Sequence, residues 1–242
     1  MKALVLSSGG LDSSVCTSYA VNKYGKENTI TASLFYGQKH SRELESAKKI
    51  AEHYGVEHIE KDISDAMSHA KAVCSLMEGS DVEMDDRSYA EQIADKGKPN
   101  TEVPLRNGIF LILAGSLAMS LFPDQECVVI YGAHSDDAAG NAYPDCSVEF
   151  ADTADKLIQI GSRGCVRLER PLISLSKAGV VKMGLELNTP FELTTSCYHG
   201  GEKACGVCGT CRDRINAFRE NNIPDPIDYE IDDPFSDLRG GM

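Results

Sequence analysis

The stretch that most limits how this chain can fold is its first fourteen residues, Met-Lys-Ala-Leu-Val-Leu-Ser-Ser-Gly-Gly-Leu-Asp-Ser-Ser. Ala3 to Ser7 is a short apolar run with the pattern of a buried strand. Asp12 to Tyr24 can form a helix, with Asp12 or Ser13 near its start. Ser8, Gly9 and Gly10 make the turn between them. A strand that passes through a Gly-rich turn into a helix N-terminus is an anion site. The glycines let the backbone approach a phosphate, and the first helical turn adds unpaired N–H groups and a partial positive charge. No Gly-Lys-Ser/Thr follows, so this is not a Walker A loop, and it is not Gly-x-Gly-x-x-Gly either.

The same rhythm continues. Thr29 to Tyr36 reads as a second buried strand, Gly37 to His40 as a turn, and His40 to His53 as a helix with Leu44, Ala47, Ile50 and Ala51 on one face. Val56 to Ile59 is a brief third strand. Later come an apolar helix ending at Phe122, a strand over Glu126 to His134, a helix over Ser147 to Ile160, a strand over Val166 to Leu172 and a helix over Ser176 to Glu186. Strand–helix alternation predicts a doubly wound, mostly parallel α/β sheet with helices on both faces, binding its ligands at the strands' carboxyl ends. Residues 67–100 interrupt the pattern and are expected to be an insertion or lid with a short helix near Ser88 to Asp95. Ser135 to Cys146 reads as a long loop, and the tail after Pro224 as acidic, proline-punctuated and with little to bury. The expected division is a nucleotide-binding domain over 1–190 and a metal-binding region over 191–242.

The net charge of −13 disfavours a protein that grips a nucleic-acid backbone, because such binding rests on Lys and Arg neutralising phosphates. The longest apolar run, Gly108 to Phe122, is too short to span a bilayer comfortably, so no membrane role is expected. No secretory signal is evident. Cys197, Cys205, Cys208 and Cys211 cluster, and without a signal a cluster points to metal ligands in a reducing, cytoplasmic setting. Four thiolates around one point make a closed tetrahedral Zn²⁺ site. An iron–sulfur cluster is the alternative, although the Cys-Pro of a ferredoxin-type run is missing.

Other residues fall after strands, where ligands bind. Gln38 and His40 follow the second, and His40 could carry a proton or simply be a solvated helix-start residue. Glu43 would lie one turn in from it. Arg106 and Asn107 open the apolar helix and could meet a phosphate, an adenine or a carboxylate. His134, Asp136, Asp137, Tyr143, Asp145 and Cys146 share one long loop. There a flat heteroaromatic ring could stack on Tyr143 and bond Asp145, and Cys146 is either a nucleophile or packing. Lys177 follows the last strand, free to meet a phosphate or to be solvated.

Together these motifs resemble the 7-cyano-7-deazaguanine synthase family over nearly the whole chain. Ser8-Gly9-Gly10-Leu11-Asp12-Ser13 is similar to the PP-loop of the ATP pyrophosphatases. Tyr36-Gly37-Gln38-Lys39-His40 with Glu43-Leu44, Val103-Pro104-Leu105-Arg106-Asn107 and Tyr143-Pro144-Asp145-Cys146 are similar to the family's next three motifs, and the four cysteines to its metal site. The resemblance implies an adenine nucleotide alpha hydrolase-like fold with a C-terminal four-cysteine zinc knuckle. It implies an ATP-dependent ligase that converts 7-carboxy-7-deazaguanine and ammonia to the nitrile through adenylated carboxylate and amide. It implies that Ser7, Ser8, Gly9, Gly10, Leu11, Asp12, Ser13 and Ser14, with Arg106 and Asn107, hold ATP, with Mg²⁺ bridging Asp12 to the phosphates. Asp12, His40, Asp145 and Lys177 are then catalytic, Gln38, His40, Tyr143 and Asp145 face the substrate, and the protein is a homodimer. One position departs: Ser147 stands where the family usually has Arg, so that cationic contact to substrate or partner subunit is not implied here. Rival readings are a PP-loop enzyme that thiolates tRNA, one that places a deazaguanine on a macromolecule, and a zinc-binding module with a degenerate nucleotide site.

Overall fold

The computed structural model describes residues 1–39 and 42–239. The strand–helix rhythm of the sequence becomes one five-stranded sheet, all of whose pairings are parallel. In chain order the elements are β1 (Lys2–Leu6), α1 (Leu11–Tyr24), β2 (Thr29–Phe35), α2 (Arg42–Tyr54), β3 (Glu57–Asp62), α3 (Ser64–Met67), α4 (Tyr89–Lys96) and α5 (Arg106–Leu121). They continue with β4 (Cys127–Ile130), α6 (Ser135–Ala138), α7 (Val148–Gly161), β5 (Val166–Glu169), α8 (Lys177–Glu186), α9 (Gly209–Glu220) and α10 (Ser236–Arg239). The strand order is β3-β2-β1-β4-β5, so the chain reverses direction across the sheet between β1 and β4. A crevice opens where the order reverses, and the Gly-rich turn after β1 lies at its lip.

Period-two alternation sorts the core. Ala3 and Val5 of β1, with Val128 and Ile130 of β4, face α1, α8 and α9. Leu4, Cys127 and Val129 face the opposite way, against Leu111, Ala114 and Ala118 of α5 and Ala151 and Ile158 of α7. Both faces of the central strands are therefore buried, which is why they read as continuous apolar runs. Among the described residues no helix is long and apolar enough to cross a membrane.

Several boundaries differ from expectation. The third strand runs over Glu57–Asp62, an edge strand of charged residues, later than Val56 to Ile59. The strands expected over Glu126 to His134 and Val166 to Leu172 close at Ile130 and Glu169, because the chain turns away there to build the crevice wall. Ser135 to Cys146 is no plain loop: it holds α6 and two single 3-10 turns. The insertion has the expected helix, α4, set by a capping box between Ser88 and Glu91 and stopped at Gly97 in the left-handed region. It also has its own small core, in which Met67, Ala70, Cys74 and Met77 bury against Tyr36 and Val103.

The tail is the largest correction. Composition suggested little to bury, yet Asp225 and Phe235 are fully buried. Asp225 accepts from Nε of Arg214 at 2.6 Å and from its Nη2 at 2.8 Å, and Tyr229 donates to the same carboxylate at 2.6 Å. Phe235 joins the core formed by β1, α1 and α8. Replacing Asp225 by Ala would leave the Arg214 guanidinium buried without its counter-charge. That is expected to cost about 3–5 kcal/mol. Chemical denaturation checks it, and a loss below about 1 kcal/mol would mean that the pair does not hold the tail.

Candidate active site

The turn after β1 shapes the site. Gly9 has φ +79, and a Cβ there would stand 2.1 Å from the Glu43 carbonyl oxygen and 2.6 Å from the Ala47 nitrogen. Only glycine permits both the conformation and the approach to α2. The Gly9 carbonyl accepts from Thr195 N–H at 2.9 Å, and Thr195 bonds Ser46 of α2 at 2.9 Å. Clamped on that side, the turn presents its other edge to a cavity of about 520 Å³. Ser7, Ser8, Gly10, Leu11, Asp12 and Ser13 line this cavity, whereas Gly9 and Ser14 face away from it. Ser14 instead donates to the Gly10 carbonyl at 2.7 Å and holds the turn from behind.

The N-cap of α1 is Gly10, which has no side chain to cap the first N–H groups. They point at the cavity with the positive end of a fourteen-residue helix behind them. Ser7 lines the cavity too, and its buried hydroxyl has no partner among the described residues. An orphaned donor beside uncapped amides suits the phosphates of a nucleotide. Ser8 and Ser13 hold each other, oxygen to oxygen at 3.1 Å.

Four ionisable groups meet beside the turn. Lys177 Nζ donates to both oxygens of Asp12, at 2.7 and 2.8 Å. His134 Nε2 lies 3.7 Å from Asp12 and 3.3 Å from Asp137. Burial pushes the Asp12 carboxyl up, but Lys177 and His134 outweigh it and hold it below its usual value. Burial likewise works against charge on Lys177, and Asp12 and Asp137 overcome it, raising the lysine. Asp137 goes the other way: burial raises it, with Lys177 and His134 only partly opposing. Sequence reasoning named Asp12 and Lys177 but did not assign roles to His134 or Asp137. Their position directly after the central strand β4 was the available signal.

Arg106 lines the same cavity. Leu105, which precedes it, sits in the left-handed region at φ 52, a conformation that costs a non-glycine residue roughly 1 kcal/mol. The bent turn sets Arg106 over the Tyr36 ring, 5.9 Å from its centroid. Tyr36 tilts against Phe110 at 5.6 Å, and Tyr89 from the insertion meets Tyr198, hydroxyl to hydroxyl, at 3.1 Å. Gln38 lines the cavity while its Oε1 accepts from Tyr36 N–H. His40 lies outside the described residues.

The fourth motif is placed differently. Asp145 does not line the main cavity; its Oδ2 accepts from Asn107 N–H at 3.1 Å and caps α5. Asn107 does line it and reaches the Cys146 sulfur at 3.4 Å. Tyr143 bonds Thr101 at 2.6 Å, meets Tyr89 edge to face, and lines a side pocket of about 70 Å³ that shares Arg106 and Asp137 with the main cavity. Burial, with Asp137 and Asp145 adding, pushes the Cys146 thiol well above its ordinary range, which leaves it protonated and inert. Ser147 caps α7, its hydroxyl accepting from Phe150 N–H at 3.2 Å.

Cys197, Cys205, Cys208 and Cys211 converge with all four sulfurs within 4.8 Å of one another. The Cys205 and Cys211 sulfurs are 3.9 Å apart, close to the ~3.8 Å edge of a tetrahedron with metal–sulfur bonds near 2.3 Å. Backbone N–H groups of Cys205, Val207 and Cys208 donate to the sulfurs, as thiolates require. The four side chains suit a single buried metal ion.

Comparison with known proteins agrees with this geometry. The family model described as "Queuosine biosynthesis protein QueC" matches residues 2–222. A 7-cyano-7-deazaguanine synthase of Caldicellulosiruptor saccharolyticus is 43% identical, across 96% of this chain and 97% of the relative. One from Oceanobacillus iheyensis is 40% identical, across 94% and 98%. Among solved structures, an NMN synthetase from Francisella tularensis superposes with a TM-score of 0.50 at 16% identity, across 98% of this chain and 81% of that one. At that identity it speaks to the fold alone.

Burial pushes the Glu43 carboxyl in the cavity wall from its usual 4.5 up to about 7, with Arg106 only partly opposing. Folding therefore retains a proton that the unfolded chain releases. Stability is expected to fall as pH rises from 4.5 to about 7 and to level off above, by about 1–3 kcal/mol. Glu43→Gln should remove that part of the slope. Urea midpoints of both proteins across pH 4.5 to 8 check it, and parallel curves would refute it.

Proposed function

The chain belongs to the queuosine biosynthesis protein QueC family, and on that premise we propose that it makes 7-cyano-7-deazaguanine, the product its relatives are named for. The reaction joins 7-carboxy-7-deazaguanine to ammonia at the expense of ATP. One observation carries this reading: a single cavity is lined both by the uncapped start of α1 and by an arginine among tyrosines. The first suits a triphosphate and the second a flat ring bearing a carboxylate.

A carboxylate is a poor electrophile, and converting its oxygen into part of a phosphate ester supplies the leaving group. The carboxylate oxygen attacks the α-phosphorus of ATP and pyrophosphate departs. Ammonia adds at the carbonyl carbon, loses a proton, and expels AMP to leave the amide. The amide oxygen is adenylated in turn, releasing a second pyrophosphate and one N–H proton, and departure of the second AMP with the other N–H proton leaves the nitrile. Both oxygens of the acid thus leave on AMP, so no step needs water.

Within this scheme the amides of Leu11, Asp12 and Ser13, with the Ser7, Ser8 and Ser13 hydroxyls, hold the departing phosphates. Asp12 and Asp137 offer oxygen ligands for Mg²⁺, which when bound offsets the charge of the phosphates. Lys177 keeps Asp12 ionised and in place. Arg106 lies at the ring end, where its planar fork suits the substrate's acid. Gln38 and Tyr143 flank that end, and Asp145 acts by setting the α5 turn that aims Arg106. His40 remains a candidate for taking the ammonia proton. Holding both reactants in line can supply roughly 7–11 kcal/mol of the barrier.

The cysteine site holds Zn²⁺ and is structural. Four sulfurs leave no open position, and their spacing suits one ion better than a cluster. Ile112 and Met119 of α5, with Leu157 and Ile160 of α7, are apolar and exposed, which supports a homodimer across that face. The net charge of −13 and the buried cysteine site support a cytoplasmic protein acting on a small molecule.

Incubation with ATP, Mg²⁺, ammonia and 7-carboxy-7-deazaguanine should yield the nitrile and two AMP per nitrile by mass spectrometry. ADP without AMP would sink the reading. Asp12→Asn should lower substrate-dependent pyrophosphate release at least ~100-fold while the variant stays folded; unchanged release would remove Asp12 from the site. A strong chelator should release about one zinc per chain and lower the thermal midpoint, and a midpoint that holds after zinc has left would end the structural assignment.

A further inference from the structure

One acid in the cavity wall has no role in the scheme above. Glu43 lies in the first turn of α2, and its side chain lines the cavity at the Arg106 end. Among the described residues its carboxylate has no hydrogen-bond or ion-pair partner. Of the other acids that line the cavity, Asp213 and Glu220 are exposed to solvent, and the rest are engaged. Asp12 is held by Lys177, Asp137 by His134, and Asp136 accepts the Lys177 backbone N–H at 2.7 Å. The Gln38 carbonyl is taken by Tyr36 N–H. Arg106 approaches Glu43 closely enough to oppose the effect of burial, but no ion pair joins them. A mostly buried carboxylate with no donor is costly, and a ligand that brings donors would relieve the cost.

We propose that Glu43 determines base specificity: its two oxygens accept the ring N1–H and the exocyclic 2-amino group of the deazaguanine. This rests on the function proposed above. A guanine-type base offers two N–H donors side by side on that edge, at the spacing of a carboxylate's two oxygens. The Tyr36 ring beside Glu43 is buried and fixed by Phe110, which gives the base a flat wall. The same acid would repel a base that presents a lone pair in place of the N1 proton, so it both attracts the right edge and rejects adenine-type ones.

The test compares 7-carboxy-7-deazaguanine with its analogue lacking the 2-amino group, as substrates for the full-length protein and for Glu43→Gln. Pyrophosphate release is followed, and ATP affinity is measured separately. The wild type is expected to prefer the amino-bearing acid at least ~100-fold in kcat/KM, because the analogue leaves Glu43 half-satisfied. Glu43→Gln should shrink that ratio below ~10-fold, mainly through KM, with ATP affinity unchanged. A wild type indifferent to the 2-amino group overturns the proposal with no variant needed. So does a Glu43→Gln protein that keeps the full preference, and so does one that loses only kcat, which would make Glu43 a proton acceptor. A wild type that turns over neither acid fails one stage earlier and takes the proposed function with it.

Discussion

The site depends on how closely one residue approaches a helix. Residue 9 lies against the backbone of α2, with no room for even a methyl group. That contact fixes the turn's back edge, and Thr195 bonds the same residue from the C-terminal side. With the back edge fixed, the front edge must present its amides to the cavity. The parallel sheet supplies the rest. Because the strand order reverses between β1 and β4, the loop after β4 is brought beside the same turn, so close that a Cβ on Gly132 would stand 3.2 Å from Asp12. His134 and Asp137 then arrive where Asp12 and Lys177 already are. Four groups from three loops converge through topology alone.

Charge within the cavity is sorted along its length. At the turn, each acid has a cationic or imidazole neighbour, and the result is a cluster ordered before any ligand arrives. Beside Tyr36, Arg106 and Glu43 share a wall without joining. The difference is one of packing. Lys177 is a flexible stem that can reach Asp12, whereas Arg106 is held over the Tyr36 ring by a bent turn that Asp145 and Asn107 brace. Two opposite charges kept apart in a partly desolvated wall remain available to a ligand that carries both an acid and a row of N–H donors.

The sequence was most informative where function needs a local backbone shape. The strand, the Gly-Gly turn and the helix start are contiguous, so their geometry was legible directly. The cysteine spacing was equally plain, since four sulfurs within fifteen residues can meet with little help from the rest of the fold. Long-range partners were not legible. The tail looked unburied because prolines and acids dominate its composition, and the partner of Asp225 is Arg214, eleven residues earlier on another element. Asp145 looked like a ligand to a substrate ring because its motif follows a strand; in the fold it caps α5 and does not line the main cavity. His134 and Asp137 were visible only as members of a polar loop, because nothing local says which of several acids will turn inward. The Ser147 departure is now physical: its hydroxyl caps α7, a task that an arginine side chain cannot perform.

On the function proposed above an acidic chain binds a triphosphate, which looks contradictory until the source of attraction is considered. The lysine closest to the turn is already neutralised by Asp12, so it does not act as a free positive charge. Attraction comes instead from oriented dipoles: uncapped amides, a buried hydroxyl, and the helix behind them. Such dipoles are fixed by the fold and need no counter-ion, so they work inside a molecule of net charge −13. The buried lysine still matters, since without it Asp12 would be an unpaired acid facing phosphates and its ionisation would be suppressed. On the function proposed above, the acid would share its place with a divalent cation, and the fixed dipoles would select the anion that comes beside it.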